Sequence, residues 1–305
     1  MHPHKTSTPF LFFFVLLIGI HSSSFAQQRK ANNKVALNFN HLYFVIDSTA
    51  LNAINSSDFV TDELVALENR TTEANGQTWT GTYMYGDENY IEFFDSAGLS
   101  GIYGTVPKGV GGIAFSVNKV GDLNTLKSQL EKTYTLDTFT RKRNYGKKIV
   151  PWFKSLSVKD SIFNSKTLLT SWVMEYKKEY YYHNGFIHQN DSLLRKNYLL
   201  DFEEKRKNKI VKRFSGVTLT LNQIETQFYK KWFKSIGYVE THPNQYVSPE
   251  GFLISIKSRK PSNSMVIESI SFDTSQPTKD QIHYFGKNVS IEIKNNKGVF
   301  WFLQN

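Results

Sequence analysis

Three nine-residue stretches share one outline: "FNHLYFVID" at 39–47, "VGGIAFSVN" at 110–118 and "FSGVTLTLN" at 214–222. Each reads as a strand. Each ends on Asp or Asn, residue types that cap helices, and a helical pattern follows. A chain that repeats strand and helix in this way builds one supersecondary unit several times over. The first stretch is the richest. Strand alternation puts Phe39, His41, Tyr43 and Val45 on one face and Asn40, Leu42, Phe44 and Ile46 on the other. Both faces are largely apolar, which predicts a strand covered on both sides.

The helix after the third stretch is the clearest. Asn222 and Glu225 have capping-box spacing. Ile224, Phe228, Trp232 and Ile236 recur every four residues, and Gly237 supplies a stop. Leu123, Leu126 and Leu130 mark the second helix, and Leu51 and Ile54 the first. The unit ends also repeat. "TYMYGDENYIEFF" at 82–94 and "IHYFGKNVSIEIK" at 282–294 each read as a hairpin, with Glu92 and Glu292 at matching places after Gly86 and Gly286. "SWVMEYKKEYYY" at 171–182 puts Glu175 in the comparable position. The spans are about 39–95, 110–180 and 214–305. The fold class is therefore α+β, with repeated β-α-β-β-β modules forming cupped, mostly antiparallel mixed sheets. The organisation is a two-module domain at 39–180, a charged connector at 181–213 and a third module at 214–305.

This repeat resembles the vicinal-oxygen-chelate superfamily, which includes glyoxalases, fosfomycin-resistance proteins, extradiol dioxygenases and bleomycin-binding proteins. Asn40-His41-Leu42 on a first strand and Tyr90-Ile91-Glu92 on a last strand are similar to recurrent features of that superfamily. The resemblance implies a cup with metal ligands from first and last strands, here His41, Glu92 and Glu175. The corresponding first-strand positions, Gly112 and Gly216, carry no ligand. One histidine and two carboxylates suit a divalent ion completed by water. The alternative is a His41–Glu92 hydrogen bond with no metal.

Other residues are candidates to line the cup. Tyr43, Tyr83 and Tyr85 alternate on strands of the first unit, while "TRKRNYGKKIVPWF" offers Arg141, Arg143 and Trp152. Arginine with aromatics suits an anionic or planar ligand. Arg70, in "ENRTT", either reaches the cup or caps a loop. Asn184-Gly185, within "YYYHNGFIH", reads as a hairpin tip between His183 and His188. If the protein is an enzyme, a metal polarises a carbonyl or enediolate oxygen as a Lewis acid and Glu175 is the base. The competing classes are a non-catalytic small-molecule binder and a purely structural domain.

The compartment follows from the N-terminus. Lys5, the apolar run "FLFFFVLLIGI" at 10–20 and Ser24-Phe25-Ala26 read as a secretory signal over 1–26, cut before Gln27 and followed by a linker at 27–38. The run is too short to span a bilayer, which takes roughly 20 apolar residues, so no stable membrane association is expected and the location is secreted or periplasmic. The chain has no cysteine, so disulfide support and thiol catalysis are excluded. No Gly-rich phosphate loop or Gly-x-Ser-x-Gly elbow occurs. The net charge of +10 concentrates in 195–213. That segment reads as a solvated, partly helical connector rather than a nucleic-acid surface.

Overall fold

The computed structural model describes residues 35–95, 106–159, 167–186, 195–260 and 264–303. Residues 1–26, expected to be a secretory signal, and His188 lie outside the described residues. The fold is α+β, with two large mixed sheets.

Strands β1 (Leu37–Val45), β2 (Ala66–Ala74), β3 (Gln77–Tyr85), β4 (Tyr90–Phe94), β5 (Gly111–Val117), β6 (Leu136–Tyr145), β7 (Lys148–Val158) and β8 (Leu169–Tyr176) close into a barrel. Their order is β1-β4-β3-β2-β6-β7-β8-β5. Each half runs first, fourth, third, second, with its first and fourth strands parallel. The halves join along the antiparallel β1–β5 pair. The opposite seam, between β2 and β6, has one ladder position, Ala74 with Arg143, extended by hydrogen bonds between Asn75 and Lys142 and between Asn144 and Glu73.

The second sheet repeats this plan. It contains β9 (Val211–Leu221), β10 (Val239–His242), β11 (Gln245–Val247), β12 (Leu253–Ser258), β13 (Ile267–Thr274), β14 (Gln281–Phe285), β15 (Val289–Lys294) and β16 (Lys297–Phe302). The order is β10-β11-β12-β9-β13-β16-β15-β14. Residues 211–258 make a strand, a helix and three strands, with β9 parallel to β12. Residues 267–302 then give four more strands in the same relative order. They lack the helix, and β13 is antiparallel to β16. The region read from sequence as a third unit thus contains two. Glu292 consequently lies on the third strand of its unit, while Glu92 lies on the fourth, so the matching hairpins are not topologically equivalent.

Among the described residues, three α-helices of eight residues or more pack outside the sheets. Asp47 caps α1 (Ser48–Asn55) by accepting from the Ala50 N–H at 2.9 Å. The N-terminus of α2 (Asp122–Leu130) is capped from a distance, by Glu175. Between β8 and β9 lie α3 (Lys178–Asn184), α4 (Arg195–Leu199), a 3₁₀ turn (Leu200–Phe202) and α5 (Glu203–Arg206). Asn184-Gly185 is not a hairpin tip. Gly185, at φ 71°, takes the left-handed C-cap of α3, a role that Gly fills as readily as a turn.

The third packed helix, α6 (Gln223–Ser235), forms the Asn222–Glu225 capping box. Its buried face is Glu225, Tyr229, Trp232 and Phe233, whereas Ile224 is exposed. Of the predicted stripe, Trp232 and Ile236 are buried and Phe228 packs against the core, while at the first turn the charged Glu225 is buried in place of Ile224. Its carboxylate accepts from the Leu168 and Asn222 N–H groups and pairs with Arg259 at 2.7 Å. A buried charge with that many partners is tolerated.

The outward faces of β1, β4 and β5 share one apolar core with the second sheet and the helices. Phe39 stacks on Phe252 at 3.7 Å, and Phe44 meets Phe302 at 4.8 Å. The barrel interior is a separate aromatic cluster. The strand β1 is therefore covered on both sides.

Candidate functional site

The site begins with a break in strand alternation. Against β5, Phe39 pairs with Phe115 and His41 with Ala114, so Asn40 is an extra residue. This β-bulge re-aims the strand. Phe39 turns outward to the shared core, while His41, Tyr43 and Val45 face the barrel interior. The single face drawn from Phe39 to Val45 is thus split at residue 40. The Asn40 amide donates to Ser116 Oγ at 3.0 Å, which holds the bulge across to β5.

Asn40 also sets the chemistry of His41. With its amide nitrogen on Ser116, its Oδ1 faces His41 Nδ1 at 2.7 Å. Nδ1 therefore carries the proton, and Nε2 presents a bare lone pair. The imidazole stacks on Tyr90 at 4.7 Å and meets the edge of Trp172 at 5.5 Å. Burial pushes its pKa down to about 3, so the ring is neutral.

Nε2 lies 3.9 Å from Glu92 Oε1 on the parallel neighbour β4. Burial raises the Glu92 carboxyl to about 8, with the Arg70 charge and the Tyr90 hydroxyl acting in the opposite direction. Two neutral groups face one another across a gap too wide for a hydrogen bond.

Arg70 extends the site from β2. Its guanidinium lies over the Tyr83 ring at 4.0 Å. Nη1 donates to Glu68 Oε2 at 3.3 Å and to the hydroxyls of Tyr85 and Tyr198 at 3.2 and 3.5 Å. Tyr85 in turn donates to Glu68 Oε2 at 2.9 Å. Trp79 Nε1 donates to the Tyr83 hydroxyl, which burial pushes up to about 12.

The predicted lining residues divide. Tyr83, Tyr85 and Trp152 are buried in the barrel interior. Arg143 reaches them, donating to Tyr180 at 3.2 Å with its guanidinium 5.4 Å from the Trp152 ring centre. Tyr43 is half-buried, its hydroxyl 3.2 Å from Thr170 Oγ1. Arg141 instead bonds Gln77 at 3.3 Å and lies over Phe139, an exposed ring.

Glu175 is not in the site. Neighbours Met174 and Tyr176 belong to the interior cluster, but Glu175 points to the other side of β8. Its Oε2 accepts from the Gly121 and Leu123 N–H groups at 2.9 and 3.0 Å, capping α2. The expected third ligand and base is a helix cap, since a carboxylate is stabilised at a helix N-terminus. Gly112, the expected ligand position of the second unit, sits under aromatic rings. A Cβ there would come within 2.3 Å of Tyr43 and 2.9 Å of Trp172.

Among the described residues, no three His, Asp or Glu side chains converge. His41 and Glu92 thus face one another without the third expected donor, Glu175. A surface cleft of about 420 Å³ near Glu63, Asn208 and Lys279 shares no residue with the barrel interior.

Sequence reasoning missed Asn40, Tyr90, Trp172, Tyr198 and Phe202 as site residues and left Arg70 open. Two signals were available. Glu68, Arg70 and Thr72 keep strand period on one face, and Tyr198 and Phe202 stand four apart in a charged segment.

Residues 39–302 match the family of unknown function DUF5829. The chain belongs to that family. No curated protein matches it. Among solved structures, a hypothetical protein from Staphylococcus aureus is similar in fold, with 14% identity and a TM-score of 0.53 over 81% of this chain and 95% of that one. A xylose isomerase-like TIM barrel/4-hydroxyphenylpyruvate dioxygenase fusion protein is 12% identical with a TM-score of 0.42, over 80% of this chain and 37% of that one.

Proposed function

We propose that this DUF5829 protein is a secreted, glyoxalase-like module that binds a small organic ligand inside the barrel, without a resident metal. The strand order, with its parallel first and fourth strands, supports the glyoxalase-like part of this reading. The observation that carries the binding part is the gap between His41 Nε2 and Glu92 Oε1. Among the described residues no hydrogen-bond donor reaches His41 Nε2, so its lone pair is open to an incoming group. A ligand group placed between the two satisfies both, as polar groups that orient ligands in apolar sites do. The reading makes His41 and Glu92 binding residues and assigns them no bond-breaking step.

Three measurements test it. A thermal-shift screen of a broad small-molecule library should yield stabilising compounds, and His41→Ala and Glu92→Gln should each remove the shift. If no compound stabilises the protein, the binding reading fails. Metal analysis should find no stoichiometric ion. A divalent ion present in the wild type and lost in His41→Ala would replace this reading with a Lewis-acid site. N-terminal sequencing of the exported protein should begin at Gln27, and retention of residues 1–26 would overturn secretion.

A further inference from the structure

Arg70 is engaged on one side only. Nη1 meets Glu68, Tyr85 and Tyr198, but among the described residues no hydrogen bond reaches Nε or Nη2, and Nε is buried. The Nε–Nη2 edge of a guanidinium is a flat two-donor fork that matches a carboxylate. A second buried donor of the interior, Trp152 Nε1, also has no acceptor among the described residues. Interiors rarely leave such donors unpaired, so both call for an oxygen-bearing partner.

The segment 195–206 shows what else the place accepts. Phe202 stacks on Tyr85 at 3.7 Å and 14°. Tyr198 brings its hydroxyl to Arg70 Nη1 and its ring to within 6.0 Å of Tyr176. A flat ring and an oxygen at Arg70 are already held there by the chain's own side chains. The helices carrying them span five, three and four residues, lengths with no stability of their own. They are tied down by Arg195 on Glu250 at 2.7 Å and Arg206 on Asp87 at 3.1 Å.

We infer that the ligand is a small aromatic carboxylate, its carboxylate on the Nε–Nη2 edge of Arg70 and its ring in the place taken by Tyr198 and Phe202. This rests on the proposed binding function of the barrel.

Calorimetric titration of the full chain with benzoate, phenylacetate, acetate, benzamide and benzylamine tests the inference. The two aromatic carboxylates should bind at one per chain, with acetate, benzamide and benzylamine at least about tenfold weaker, a difference of about 1.4 kcal/mol. Arg70→Lys keeps the charge and the Glu68 pairing but lacks the fork. It should lose at least about tenfold in benzoate affinity while melting at the wild-type temperature. Benzamide binding as tightly as benzoate, or benzoate binding unchanged in Arg70→Lys, overturns the inference. So does silence across the panel. Compounds from the broad library that bind in a His41-dependent manner would, in each case, leave the binding reading standing. Failure of both experiments ends both.

Discussion

His41 and Glu92 are each shifted towards neutrality by burial, and the two shifts act on stability in opposite directions. The His41 pKa falls from 6.5 to about 3. The folded state thus binds fewer protons than the unfolded state between those values, and stability drops as pH falls from 6.5. The Glu92 pKa rises from 4.5 to about 8. Here the folded state binds more protons, and stability drops as pH rises from 4.5 to 8. Between 4.5 and 6.5 the two slopes cancel. The pair therefore predicts a stability plateau in that window with a falling limb on each side, each worth on the order of a few kcal/mol. Urea midpoints across the pH range measure this. Glu92→Gln should abolish the alkaline limb and keep the acid one. An alkaline limb that survives in Glu92→Gln would assign it to another group.

At the scale of elements, Glu175 separates a structural carboxylate from the site carboxylate. It accepts from two backbone N–H groups at the head of α2. Glu175→Ala leaves those donors buried without an acceptor and should cost about 1–3 kcal/mol, read as a lower denaturation midpoint, while ligand binding in the barrel is unchanged. Loss of binding at unchanged stability would return Glu175 to the site. The pair Glu92 and Glu175 also shows how far residue patterns reach. Period-two alternation and the "NHL" and "YIE" stretches were enough to bring His41 and Glu92 together, because the ladder between β1 and β4 runs without a break from His41 onward. Even so, the bulge at Asn40 was invisible, since one inserted residue leaves the apolar pattern almost unchanged. Glu175 occupied the expected place in a repeat, but repeat position does not tell which face a strand presents. The buried Glu225 misled for a related reason: its partners Leu168 and Arg259 come from distant parts of the chain. Arg70 and its aromatic cover were hidden because their contacts span 128 residues of sequence, from Arg70 to Tyr198.

At the scale of the molecule, the repeat was legible and its count was not. The fourth unit, 267–302, lacks the helix that marks the others, so it merged with its neighbour. What sequence did show was that "FNHLYFVID" is apolar on both faces, and the structure gives each face its own core. The outward face is the one that decides how the chain unfolds. Phe39 on Phe252, Phe44 on Phe302 and Phe93 on Phe300 join the barrel to the second sheet. Their residues belong to one continuous apolar cluster, and Val35–Asn305 is one compact unit. Separating the sheets would expose those fully buried aromatics to water at roughly 25 cal/mol per Å², with no polar surface ready to replace them. The barrel and the second sheet should therefore melt together. Scanning calorimetry of the chain is expected to show one transition with equal calorimetric and van't Hoff enthalpies. Phe39→Ala should lower that single transition by roughly 3–5 kcal/mol of stability without splitting it. Two resolved transitions, in the wild type or in Phe39→Ala, would show that the barrel keeps its fold without the second sheet covering it.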